Sequence, residues 1–252
     1  SGPLARQSMR ISRYLARCGI ASRRDSEAVV LAGRVKVNGV KQTNLATQIA
    51  EGDHVMLDGR LLELPPEHLT LLMNKPLGVM VTREDPQGRQ TIYDILPPQF
   101  ASRTRELVYA GRLDYNTSGL LIMTTNGELA NKLVHPRYHV DKTYRVRTDR
   151  QLTKESLQAL RSGVTLEDGR TKPCVVKQLH ERADIHAFEI TLQEGKNRQV
   201  RRMVEAVGGK VIELQRIRIG SLTLRDFFPD GQPGVVALTE KDVKGFLGEP
   251  TQ

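Results

Sequence analysis

Apolar positions along this chain first recur with the period of a helix and then with that of a strand. In "RISRYLARCGIASRRDSEAVVLAGRVKVNG", Ile11, Leu15 and Cys18 fall at helical spacing and Gly19 follows as a stop, which predicts a short first helix. Ser22, with Asp25 three residues later, makes a capping-box pattern before Ala28, Val29 and Leu31, and Gly33 ends this second helix. The period then drops to two: Val35 and Val37 alternate with basic residues up to Asn38-Gly39, and "HVMLDGRLLEL" supplies two more strands around Asp58-Gly59. Both dipeptides are hairpin-turn signals. Two helices and a small sheet make one module over residues 9–64. Pro65-Pro66 stiffens the chain and interrupts pairing, so residues 65–69 are read as a linker.

Beyond the linker, "LTLLMNKP", "GVMVT", "ELVYAG", "GLLIMTT", "TYRVRT", "HAFEITLQ" and "KVIELQRIRIG" read as strands, and "GELANKLV", "TKESLQALRSG" and "NRQVRRMVEAVG" as helices. Their irregular order predicts an α+β domain over residues 70–246 on a mixed, mainly antiparallel sheet. Residues 1–8, opening Ser1-Gly2-Pro3, read as a tag scar or disorder, and residues 247–252 as a tail.

A length of 252 residues suits a small module joined to a larger one, and no run of about 18 apolar residues is present to span a membrane. Cys18 and Cys174 lie far apart and match neither a disulfide framework nor a CxxC site, so a reducing cytoplasm is expected. The net charge of +9 points to a polyanionic partner, with nucleic acid ahead of an anionic membrane. Its distribution sharpens that expectation: Arg10, Arg13, Arg17, Arg23, Arg24, Arg34 and Lys36 lie in a stretch whose only acids are Asp25 and Glu27. On two short helices these arginines would present a cationic face to RNA phosphates. "SRRDSEAVVLAGRVKVNG" resembles the alpha-L RNA-binding motif, with its SR pair, apolar helix, glycine and V-x-V-N-G hairpin.

The chain shows no phosphate-binding GxxxxGK[ST] loop, no GxGxxG and no GxSxG elbow. His135 and His139 are four apart, but Pro136 argues against a helix that would align them, and no acid completes a metal set. No metal site is expected. What remains is Asp114 in "GRLDYNTSGL", at the expected end of a strand and on a short polar loop, where a rigid scaffold can hold an acid within reach of substrate. Taken alone, an aspartate in such an Asp-x-Asn-Thr loop is better read as capping the turn or pairing with Arg112. In "EGKNRQVRRM", Asn197 is a fitting N-cap, Val200, Met203, Val204 and Val207 form a buried stripe, and Arg198, Arg201 and Arg202 flank it near the positive end of the helix dipole. Alternation in "KTYRVRT" sends Lys142, Tyr144 and Val146 to one side, towards the core or a cleft.

"GRLDYNTSGLLIMTTNGELANKL", "KTYRV" and "EGKNRQVRRM", in that order behind an RNA-binding module, resemble the RsuA/RluB branch of the ribosomal RNA pseudouridine synthases. "LLMNKPLGVMVTREDPQGRQTIYDILP" extends the likeness to the start of the second domain. The resemblance implies that Asp114 is the catalytic aspartate, that Tyr144 stacks on the flipped base and takes the proton from its carbon 5, and that Arg201 supplies the ion pair to Asp114. It also implies that Arg112 helps expel the uridine or fills the gap it leaves. Thr117, Lys142, Asn197, Arg198, Gln199 and Arg202 then fall among the substrate contacts. Such chemistry requires no cofactor, because breaking the ribose–nitrogen bond and forming one to carbon 5 involves no net redox change. The implied partner is ribosomal RNA, of the large subunit in preference to the small, or a subunit assembly intermediate, and the implied state is a monomer. Two readings compete: a non-catalytic ribosome-binding or assembly protein, for which the basic patches suffice, and an RNA-cleaving enzyme, which would need the histidine pair or carboxylate cluster that the sequence lacks.

Overall fold

The computed structural model describes residues 8–65 and 68–246, so the expected tag scar and tail, and Pro66 and Glu67 of the expected linker, lie outside the described residues. The chain divides into two compact units, residues 1–67 and 68–252.

The first unit runs β1 (Met9–Arg10), α1 (Ile11–Arg17), α2 (Arg23–Leu31), β2 (Val35–Val37), β3 (Val40–Lys41), β4 (Gln48–Ile49), β5 (Val55–Leu57) and β6 (Arg60–Leu61). Both hairpins form where expected. Asn38 and Gly39 have φ of 52° and 82°, and Asp58 and Gly59 have 49° and 80°, the paired left-handed turn that matches strand twist. Ser22 caps α2 by accepting from the Asp25 amide at 3.1 Å. Ile11, Tyr14, Leu15, Val30, Val35, Val37, Ile49 and Val55 form the core. The second helix turns its face away from the run read in the sequence: Ser26 and Val30 are buried, while Ala28 and Leu31 are exposed.

The second unit follows with β7 (Thr70–Lys75), β8 (Val108–Ala110), β9 (Ser118–Thr124), α3 (Gly127–Val134), β10 (Lys142–Thr148), α4 (Lys154–Ser162), β11 (Thr165–Leu166), β12 (Gly169–Arg170), β13 (Val175–Leu179), β14 (His186–Leu192), α5 (Gln199–Ala206), β15 (Val211–Ile219), β16 (Leu222–Thr223), α6 (Leu224–Phe227), β17 (Gly234–Ala237) and α7 (Glu240–Phe246). A nine-stranded sheet has the order β13-β14-β10-β15-β9-β7-β17, with β16 on β15 and β8 on β9. Every pairing in it is antiparallel except β9 with β15, which is parallel at Ser118–Gln215 and Gly119–Arg216. The unit is therefore the α+β domain with a mixed, mainly antiparallel sheet that the element order predicts.

The uninterrupted apolar runs of β7 and β9 have a physical reason. Leu72, Leu120 and Ile122 pack into one core with α3, while Leu71, Met73, Leu121 and Met123 pack into another beneath the long segment after β7, so these strands are covered on both faces. A third core, including Leu157, Leu160, Val200, Met203 and Val204, joins α4 and α5 to β10, β14 and β15. Among the described residues no helix is long and apolar enough to cross a membrane.

Several expectations are corrected. "GVMVT" is not a strand: Val79 and Val81 are buried, but the segment makes only an isolated bridge, Met80 with Thr91. The strand expected to end at Asp114 ends at Ala110, because Gly111 takes φ of 81° and turns the chain out of the sheet. Strands β1, β4, β11, β12, β13, β16 and β17 and helices α6 and α7 are additions. Asn197 does not cap α5: Arg198 occupies that position in a left-handed conformation without a side-chain cap, and Val207 is only half-buried at the other end.

Candidate active site

The loop of residues 111–117 joins β8 to β9 and is anchored by its own apolar and small residues. Leu113 and Thr117 are buried, at 6% and 2% exposure, and the Thr117 amide donates to the Asp114 carbonyl at 2.9 Å, closing a turn over Tyr115 and Asn116. The Gly78 amide holds the Tyr115 carbonyl at 3.0 Å from the neighbouring segment. Between these anchors the Asp114 side chain stays about one-third exposed, at 35%.

Two guanidinium groups from the start of α5 meet the same carboxylate oxygen. Arg198 Nη1 donates to Asp114 Oδ2 at 3.2 Å, and Arg201 Nε lies 3.8 Å from that atom. Arg201 Nη2 also donates to the Asn116 carbonyl at 2.9 Å and to Thr117 Oγ1 at 3.3 Å, so this side chain braces the loop as well as facing its acid. Its Nε is buried and makes no hydrogen bond. Burial, followed by the charge of Arg198, pushes the Arg201 guanidinium below its ordinary value. The left-handed backbone of Arg198, φ 50° and ψ 35°, costs a non-glycine residue on the order of 1 to 3 kcal/mol, and it sits where the loop meets the helix beside the acid.

Tyr144 is half-buried on β10, and the core beneath α4 and α5 and the core under the Asp114 loop both touch it. A register shift in the pairing with β15 falls at this residue: Thr143 faces Arg218 and Tyr144 faces Arg216, which leaves Ile217 as the extra residue of a bulge. Lys142 is half-buried, and burial, helped by the charge of Arg216, pulls its ammonium down to about 8. Lys75 at the end of β7 is fully buried, donating to the Pro76 and Val79 carbonyls at 2.9 Å each. Its ammonium is also pulled down to about 8 by burial, against the opposing charge of Asp114.

The structure thus brings Asp114, Thr117, Arg198 and Arg201 into direct contact. Arg112 is exposed beside them and makes no hydrogen bond or ion pair among the described residues. Among the remaining expected substrate contacts, Gln199 and Arg202 are engaged within the chain. Gln199 is 4% exposed and bonds the Lys196 amide and Glu194, and Arg202 forks onto Asp168 at 2.7 and 3.2 Å while its Nε holds the Asn197 carbonyl at 2.8 Å. Arg202 is therefore paired with Asp168, and the contacts to Asp114 come from Arg198 and Arg201. In the first unit Arg10, Arg13, Arg23, Arg24 and Lys36 are exposed, Arg17 donates to the Pro65 carbonyl at 3.2 Å, and Arg34 is held by both oxygens of Asp58.

Residues 69–206 match the family described as RNA pseudouridylate synthase, and residues 9–55 match the S4 domain. The chain belongs to the RNA pseudouridylate synthase family. Among curated relatives in the pseudouridylate synthase family, "Ribosomal large subunit pseudouridine synthase B" of Bacillus subtilis (strain 168) is 39% identical over 86% of this chain and 87% of its own length. The proteins of the same name from Pseudomonas aeruginosa and Yersinia pestis are 41% and 39% identical over 85% and 93% of this chain, which spans 56% and 73% of their lengths. A solved structure described as a pseudouridylate synthase superposes with a TM-score of 0.62 at 28% identity, covering 95% of this chain and 100% of that one.

Reading the sequence of this pseudouridylate synthase missed two buried cations. Arg216, 1% exposed, and Lys75, 0% exposed, lie on either side of Gly119, which pairs with Arg216 on β15 and Lys75 on β7. The available signals were an arginine in phase with the inward Leu214 and a lysine inside the apolar run "LTLLMNK". A cavity of about 580 Å³ lined by Thr143, Val175, Thr191, Ile217 and Phe228 contains none of the expected site residues.

Proposed function

We propose that this chain isomerises uridine to pseudouridine in large-subunit (23S) ribosomal RNA, with Asp114 as the catalytic carboxylate. The observation that carries this reading is the single partly exposed acid whose Oδ2 meets both Arg198 and Arg201 on a braced loop, leaving Oδ1 for the substrate. The names of the relatives support the large subunit as the source of the RNA.

The reaction breaks the bond between ribose and nitrogen 1, rotates the detached uracil and joins its carbon 5 to the same sugar carbon. Carbon 5 loses a proton and nitrogen 1 ends with one, so no electrons are exchanged with an outside partner. Asp114 acts at the sugar, while the Tyr144 ring stacks on the uracil and its hydroxyl takes the carbon 5 proton. A base inside a helix must first leave the stack, at a cost of a few kcal/mol, and stacking on an aromatic ring returns roughly 1 to 3 kcal/mol. Arg112, exposed beside the acid, fills the gap. The exposed arginines of the S4 domain grip phosphates outside the target nucleotide. The protein works as a monomer in the cytoplasm, on free ribosomal RNA or on a subunit assembly intermediate, through working units at residues 9–64 and 70–246.

Tritium release from ribosomal RNA labelled at carbon 5 of its uridines, prepared from cells lacking the enzyme, tests this. Wild type is expected to release tritium and Asp114→Asn to be slower by about a thousandfold. No release by wild type, on free RNA and on subunit particles alike, would leave only a binding protein.

A further inference from the structure

Among the described residues the largest fully buried side chain belongs to Arg216, and it is spent on the loop that carries the acid. Its Nη2 donates to the Gly111 carbonyl at 2.9 Å, where the chain leaves β8, and its Nε donates to the Leu120 carbonyl at 2.8 Å, where the chain has entered β9. One planar, rigid group thus spans both roots of the Asp114 loop. Its third nitrogen, Nη1, lies 3.4 Å from the Tyr144 hydroxyl, with the guanidinium carbon 6.0 Å from the centre of that ring. Close approach is enforced by Gly119, since a Cβ there would stand 2.2 Å from the Arg216 carbonyl oxygen. The bulge at Ile217 restarts the strand's alternation just after Arg216, so that Ile219 is buried in turn. No acid is paired with Arg216 among the described residues, and its donors go to two carbonyls and a phenol.

We infer that Arg216 is a positioning residue for the reaction: it fixes the Asp114 loop and the Tyr144 hydroxyl in one frame, so that acid and ring meet the flipped nucleotide in register. This rests on the functional reading above. A lysine keeps the charge but cannot reach three acceptors in one plane, and a misplacement of about 1 Å costs on the order of a hundredfold in rate.

The experiment compares wild type with Arg216→Lys by three readouts: affinity for in vitro transcribed large-subunit ribosomal RNA, single-turnover rate at saturating protein, and amide hydrogen exchange over residues 111–120 against residues 186–192. The expected result is affinity within about twofold, a rate lower by about a hundredfold, and faster exchange confined to residues 111–120. An unchanged rate and unchanged exchange would overturn the inference, as would rate and affinity falling together. Should wild type form no pseudouridine, the functional reading fails separately, and the exchange pattern alone then decides whether Arg216 orders the loop. If Arg216→Lys does not unfold cooperatively, Arg216→Gln takes its place. Failure of both to fold would overturn the inference by making Arg216 a folding residue.

Discussion

Lys75 brings a full positive charge into the protein interior without an ion pair: its ammonium meets two carbonyls, and Asp114 acts on it only as a nearby charge. Folding lowers its pKa to about 8, whereas the unfolded chain keeps a value near 10.4. Between roughly pH 8 and 10 the unfolded state therefore binds more protons, and stability rises with pH across that window; below it both states are protonated and the contribution is flat. Replacing Lys75 by Met should remove a rise on the order of 2 kcal/mol between pH 7 and 9.5, measured by urea unfolding at both values. An equal rise in parent and variant would assign the titration to other groups. Residues of this kind are hard to find by reading. Asp114 stands out in the sequence because an acid between glycines has no core to join, whereas Arg216 reads as a surface residue until the bulge and its three acceptors are seen.

At the scale of elements, legibility follows locality. The turns at Asn38-Gly39 and Asp58-Gly59 and the cap at Ser22, all read in the sequence, are set by residues within three positions of one another. The strand assigned to "GVMVT" fails because alternation supplies buried valines but no partner, and the left-handed start of α5 is missed because the geometry beside Asp114, distant in sequence, places Arg198 there. Gly119 shows the long-range side most sharply. Its φ of 111° and the contact with the Arg216 backbone leave no room for a methyl group. Gly119→Ala is expected to destabilise the protein by about 3 kcal/mol or more, read as a fall in the urea midpoint. A midpoint within the error of wild type would show that β9 and β15 can separate without consequence.

Across the whole molecule, charge is divided between cations that are free and cations that are occupied. Arg13 and Arg24 are exposed, whereas Arg34 is already held by Asp58, whose carboxyl is kept below its ordinary range by that hydrogen-bonded arginine. Each phosphate contact contributes close to one unit to the slope of log affinity against log salt. Arg13→Ala combined with Arg24→Ala should lower that slope by about two units, and Arg34→Ala should leave it nearly unchanged. Equal effects from the two variants would mean that Arg34 exchanges Asp58 for a phosphate on binding.

The parallel junction of β9 with β15 joins Gly119 to Arg216, two residues made far apart in time during synthesis. A nascent chain that has emerged only as far as β14 carries Asp114 but lacks α5 and β15, and with them the groups that hold the acid and the hydrogen bonds that fix the roots of its loop. On the function proposed above, such a chain could hold RNA through its first unit but not yet isomerise uridine, and the activity awaits synthesis of almost all of the second unit.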